Sequence, residues 1–165
     1  EKGHKMLDAS LVVSDKIKKL QGEYKGDAKK ALGKVVDETE SLLELIEKII
    51  EAAPEANRVA YLEDLIKFTG SPMPASAMAV YASSWGILKG FLMANKFRLI
   101  LTHPKKWQKD LGLGTSKGKS KTEWKNSLKS EAQRYYPHHK ITLANADAAL
   151  IFRFAEQQER PNDRG

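Results

Sequence analysis

The chain contains no cysteine, which excludes disulfides and thiolate metal sites and suits an intracellular, reducing compartment such as cytoplasm, nucleoid or organelle matrix. No apolar run approaches the length needed to span a bilayer, so a membrane protein is not expected. Glycine-rich phosphate cradles are missing as well: there is no GxGxxG, no P-loop and no GxSxG nucleophile elbow. Gly112-Leu-Gly114 is too short and wrongly placed to count as a dinucleotide motif. Histidine is scarce, with four in all. His138 and His139 are adjacent, and adjacent side chains rarely share one metal; His103 ends an apolar run and is either a structural residue or a phosphate contact. No internal repeat is visible. The opening Glu-Lys-Gly-His-Lys carries neither an initiator Met nor a signal-peptide pattern, as expected of a fragment or a processed chain.

What is present is enough for one folded domain over residues 1–165: 41% hydrophobic and 30% charged residues, an ordinary globular balance. The net charge of +7 is unevenly placed. Residues 96–140 hold 12 Lys/Arg against 3 Asp/Glu, while the remainder has 16 basic and 18 acidic residues. Clustered cations release counterions from a polyphosphate backbone, so this stretch points to nucleic acid. The competing reading is a solvated lysine-rich surface.

Along the chain, residues 1–26 form an irregular or mixed lead-in, 27–158 a helix-rich α/β core and 159–165 a polar tail. Leu42, Leu45, Ile46, Ile49 and Ile50 recur at helical spacing before Pro54, and Ser41 with Glu44 fits a capping box. Val59-Ala-Tyr-Leu62 predicts a buried parallel strand, followed by the carboxylates Glu63 and Asp64. Ala75 to Asn95 predicts a helix whose small residues (Ala77, Ala82, Ser83, Gly86, Gly90) allow close approach to a sheet or another helix. A second strand over Phe97–Leu101 completes a β-α-β unit. Pro104 opens a short helix to Lys109, and Leu111–Ser120 predicts a mobile glycine-containing loop. Helices follow over Lys121–Tyr136, with Trp124, Leu128, Ala132 and Tyr135 on one face, and over Asn145–Gln158.

Two carboxylates stand out. Asp147 lies among Ala146, Ala148, Ala149, Leu150 and Ile151 on a helix apolar enough to be buried, where an unpaired carboxylate is expensive. Either it interacts with the positive helix end, with Asn145 or Thr142 as cap, or it holds a cation. Glu63 lies at the carboxyl end of a strand, where open α/β sheets gather ligands. Its competing readings are an ordinary exposed loop carboxylate, or Asp64 in its place, because strand alternation turns only one of the two towards Asp147.

From Val59 to about Ala155 the order of features resembles the RuvC-type, phage-like Holliday junction resolvases of the RNase H-like nuclease superfamily. The features are Ala60-Tyr-Leu-Glu63, the Ser76 loop into a small-residue helix reaching Gly86, Pro104-x-x-Trp107-x-Lys109, the helix start at Lys121, and Ala146-Asp-Ala-Ala-Leu-Ile151. The resemblance implies an RNase H-like core with helices flanking a mixed sheet. It also implies a metal-dependent endonuclease that hydrolyses phosphodiesters in branched DNA during recombination, as a two-fold dimer. Glu63 and Asp147 become catalytic metal ligands for Mg²⁺, with Mn²⁺ as an alternative, in chemistry that needs hard oxygen donors. Lys105, Lys106, Lys109, Lys117, Lys119, Lys121 and Lys125 become phosphate contacts, with Trp107 and Trp124 as core anchors rather than base-stacking groups. The helix from Ala75 becomes a candidate dimer interface, or else packs on its own sheet.

Two departures accompany the resemblance. Ala144 stands where the family has a second acid three residues before the last one, and the Asp-bearing first strand has no counterpart, so the family's first strands are expected to be absent from this sequence. Three explanations stay open: a missing upstream strand, an engineered inactivating change at Ala144, or a natural non-cleaving descendant. The other functional classes are accordingly a non-catalytic DNA-binding or scaffold protein on the same fold and an RNA-processing nuclease.

Overall fold

Apolar spacing of three and four residues produces a helix, α1, over residues 43–51, where Ile46 is buried and Leu45, Ile49 and Ile50 are half-buried. The computed structural model describes residues 11, 43–51, 58–64 and 75–160; of residues 75–77, 80 and 81 it describes the backbone alone. Leu11, helical and buried, is the described residue of the 1–26 lead-in. Leu42, the Ser41 capping box, Pro54, the side chain of Ser76 and the tail from residue 161 lie outside the described residues.

Strand β1 (Val59–Glu63) is followed by helix α2 (Ala75–Ala94) and strand β2 (Arg98–Thr102). The strands pair directly. Arg98 N–H donates to Arg58 O at 2.7 Å and Asp64 N–H donates to Thr102 O at 2.9 Å, so pairing advances in the same direction along both strands. The described sheet is thus two-stranded and parallel, which a β-α-β connection requires. Three helices complete the order: α3 (Pro104–Asp110), α4 (Lys121–Tyr135) and α5 (Ala146–Gln158). The chain is mixed α/β.

The fold groups into two compact units, residues 1–60 with 66–100, and residues 61–65 with 101–165. In the first, α2 buries Leu88 and Leu92. Its small positions are not used for close packing: Gly86 and Gly90 are exposed, and a Cβ built at either meets nothing within 4 Å. Met78, Ile87 and Met93 are exposed on the same helix. The expectation of a tightly approached helix face therefore finds no partner among the described residues.

Helix α2 ends in a Schellman motif. Phe97 N–H donates to Leu92 O and Lys96 N–H to Met93 O, both at 2.9 Å, with Lys96 at φ 60°. Arg58 Nη1 donates to Asn95 O at 3.0 Å, placing a guanidinium at the helix's negative end.

In the second unit, α5 packs against both α4 and α3. Its apolar face buries Ala146, Ala149, Leu150, Ile151 and Phe154, opposite Leu128 and Ala132 of α4 and Trp107 of α3. Trp107, 1% exposed, is a core anchor as its sequence context predicts; Trp124 is half-buried. Each large side chain removed from water here contributes about 1.5–3 kcal/mol. This core fixes the relative positions of α3, α4 and α5, and with them the backbone positions of Lys105, Lys106, Lys109, Lys121 and Lys125.

Candidate nucleic-acid interface

His103 caps α3: its Nδ1 accepts from Lys105 N–H at 3.2 Å, and Pro104 fills the first helical position, where a missing N–H costs nothing. His103 is thereby a structural residue. The helix closes on a second Schellman motif, with Gly112 N–H donating to Lys109 O and Leu113 N–H to Gln108 O, both at 3.0 Å. Gly112 sits at φ 68°, which its lack of a Cβ permits. The following loop has turns of its own: Gly114 and Gly118 take positive φ, and Lys117 N–H donates to Thr115 Oγ1 at 3.3 Å.

Ser120 begins α4 with a capping box. Its Oγ accepts from Glu123 N–H at 3.2 Å, and Glu123 Oε2 accepts from Ser120 N–H at 2.7 Å. The Ser120 hydrogen bonds hold the Glu123 carboxyl below its usual range. The Ser120 N–H that begins α4 is thus held by a carboxylate, and the Glu123 N–H by the Ser120 hydroxyl.

Residues 104–125 contain seven lysines against Asp110 and Glu123. All seven lie in the second unit, whereas Lys96 and Arg98 of the wider basic stretch lie in the first. The seven are not equivalent. Lys106 is bound by Asp110 at 2.8 Å and lies over the Phe154 ring at 5.1 Å. Lys119 lies over the Trp124 ring at 5.2 Å. Lys125 forms an ion pair with Asp147. Lys105, Lys109, Lys117 and Lys121 are exposed and make no side-chain ion pair, hydrogen bond or ring contact among the described residues.

One further cation belongs with them. Lys129 follows Lys121 and Lys125 at intervals of four along α4, hence on the same stripe, and lines an open groove with Asn126, Ser130, Gln133 and Arg134. Sequence reasoning counted Lys129 within the charge excess without singling it out; its spacing from Lys121 and Lys125 was the available signal.

Asp147 stands in the first turn of α5. The carboxylate lies near the positive helix end and pairs with the Lys125 ammonium of the neighbouring helix, a partner that neither reading of the sequence named. The side chains of Lys125 and Asp147 are 34% and 15% exposed, so the pair is largely shielded yet open at the lysine end. Asn145 is not a side-chain cap. Its Oδ1 accepts from Thr142 N–H at 2.8 Å and its Nδ2 donates to Lys140 O at 3.2 Å, which locks the turn that leads into α5. Thr142 Oγ1 accepts from Ala144 N–H and Asn145 N–H, both at 3.2 Å.

Glu63 ends β1. Two residues earlier, Tyr61 meets the Phe154 ring edge-on at 5.8 Å and donates to Glu159 at 2.7 Å. Alternation along the strand puts Glu63 on the Tyr61 face, towards α5, and Asp64 on the other. Tyr61 meets α5 near its C-terminal end, whereas Asp147 stands in its first turn. Among the described residues, however, no group of three or more His, Asp or Glu is arranged to hold a metal ion. No described helix is long and apolar enough to cross a membrane. No protein-family model matches the chain, and neither does any curated protein or solved structure.

Proposed function

We propose that this protein binds branched DNA, such as a four-way junction, through the exposed, unengaged lysines of α3, the 111–120 loop and the start of α4, as a RuvC-like metal-dependent endonuclease. The observation that carries the binding part is the set of four exposed, unengaged lysines, Lys105, Lys109, Lys117 and Lys121, held by one packed unit. Their charge has no internal counter-ion to offset it, so a polyphosphate gains by releasing its own. These four are all lysines. Point charges on flexible stems follow a backbone path rather than fork onto base edges, which suits recognition of shape.

The catalytic part rests on the resemblance, with Glu63 and Asp147 as acids and Mg²⁺ or Mn²⁺ as cofactor. Hard carboxylate oxygens fit such ions in kind. In number they do not: two acids are short of a two-ion site, Ala144 supplies no donor, and Asp147 already neutralises Lys125. That ion pair favours the second reading, a non-catalytic DNA-binding or scaffold protein. A two-fold dimer through the exposed face of α2 belongs to either reading.

Replacing Lys105, Lys109, Lys117 and Lys121 together by Ala is expected to weaken junction binding. It should also flatten the dependence of log K on log salt by about 0.9 for each phosphate no longer neutralised. Unchanged affinity and slope would refute the surface. Incubation of a labelled four-way junction with the protein and Mg²⁺ or Mn²⁺ separates the two readings: paired nicks support the nuclease, and saturable binding without nicks supports the binding protein. Preference for single-stranded RNA over the junction would transfer the function to RNA.

A further inference from the structure

The Lys125–Asp147 ion pair has a consequence for the surface beside it. Lys125 belongs to the α4 stripe that also carries Lys121 and Lys129, each one turn away, about 5–6 Å between Cβ atoms. Those two ammonium groups have no ion pair among the described residues, while the one between them is turned onto a carboxylate of α5. A phosphate lying along the stripe would therefore meet a gap at its centre. Lys125 keeps a third of its side-chain surface accessible, so it can reach solvent without any helix moving.

We infer that Asp147 is an internal counter-ion that withholds Lys125 from nucleic-acid phosphate, so that carboxylate and polyanion compete for one ammonium. The inference rests on the nucleic-acid reading of this surface. Asp147 thereby acts as a positioning residue that moderates affinity. A group that neutralised Asp147 would release Lys125 to pair with a phosphate at the centre of the stripe.

The test is salt-titrated binding of a fluorescent four-way DNA junction in metal-free buffer. Asp147→Asn keeps the shape and removes the charge. It is expected to bind several-fold more tightly, with a log K against log salt slope steeper by about 0.9, the increment for one more neutralised phosphate. Adding Lys125→Met should abolish that gain, which separates a released lysine from a general loss of negative charge. Lys125→Met alone should leave the slope of the otherwise unaltered protein where it was. If Asp147→Asn is folded by circular dichroism yet binds with unchanged slope, the inference is overturned. It is equally overturned if Lys125→Met alone lowers the slope by about 0.9, a result that stands even where Asp147→Asn does not fold. Absence of salt-dependent binding by the unaltered protein would instead remove the nucleic-acid reading itself.

Discussion

Lys96 occupies a position that glycine normally fills. Two helices of this protein end in the same hydrogen-bonding motif, one with Gly112 at φ 68° and the other with Lys96 at φ 60°. A side chain in the left-handed region costs about 1–2 kcal/mol, offset here by the two Schellman hydrogen bonds and the Arg58 hydrogen bond to Asn95 O. Lys96→Gly is therefore expected to stabilise the fold by about 1 kcal/mol, read as a rise in the thermal midpoint. A fall would show that the Lys96 stem contributes more than its backbone costs. The two turns also differ in how far sequence reveals them. Gly112 advertised its turn, whereas nothing in Asn95-Lys-Phe97 signals a left-handed residue, because the penalty is met by tertiary hydrogen bonds.

At the scale of elements, local chemistry carried the boundaries well. Pro104 at the start of α3, the periodic apolar face of α4 and the alanine-rich α5 all appear within a residue or two of their expected positions. Start and stop signals are short-range, so they survive without knowledge of the fold. The capping box at Ser120 and Glu123 gives α4 a distinct dependence on acidity. Because Glu123 has its carboxyl lowered in the folded state, its contribution is present above the unfolded value of 4.5 and lost as pH falls through the folded one. Ser120→Ala should cost about 1 kcal/mol at neutral pH. Glu123→Gln should lower the thermal midpoint at pH 7, and that difference should shrink as pH falls below 4.5; an effect that does not change with pH would show that the carboxylate charge plays no part. The candidate site was less legible. Glu63 and Asp147 were visible as carboxylates in apolar surroundings, but which lysine faces Asp147 depends on how α4 crosses α5. A spacing of 22 residues encodes no such pairing.

For the whole molecule, the basic excess divides between two units, and the lysines proposed to meet phosphate fall in one of them. Composition alone located the charge but not this division. The exposed face of α2, with Met78, Ile87 and Met93 beside open Gly86 and Gly90, belongs to the other. If junction binding uses a symmetric pair, light scattering should report twice the 18.5 kDa chain mass. Ile87→Glu together with Met93→Glu should return it to one chain without altering the salt dependence of binding per subunit. A monomer before substitution would reject the dimer while leaving the lysine surface intact.

A surface whose unengaged cations are lysines is also one that chemistry can silence without a mutation. Each ε-amine accepts an acetyl group that erases its charge, or methyl groups that preserve it. Exposed amines such as those of Lys117 and Lys121 are open to the reagent, while Lys125, largely shielded beside Asp147, reacts more slowly. Acylation would therefore strip the outer charges first and leave the paired one for last, so grip on a polyanion would decline in graded steps rather than all at once.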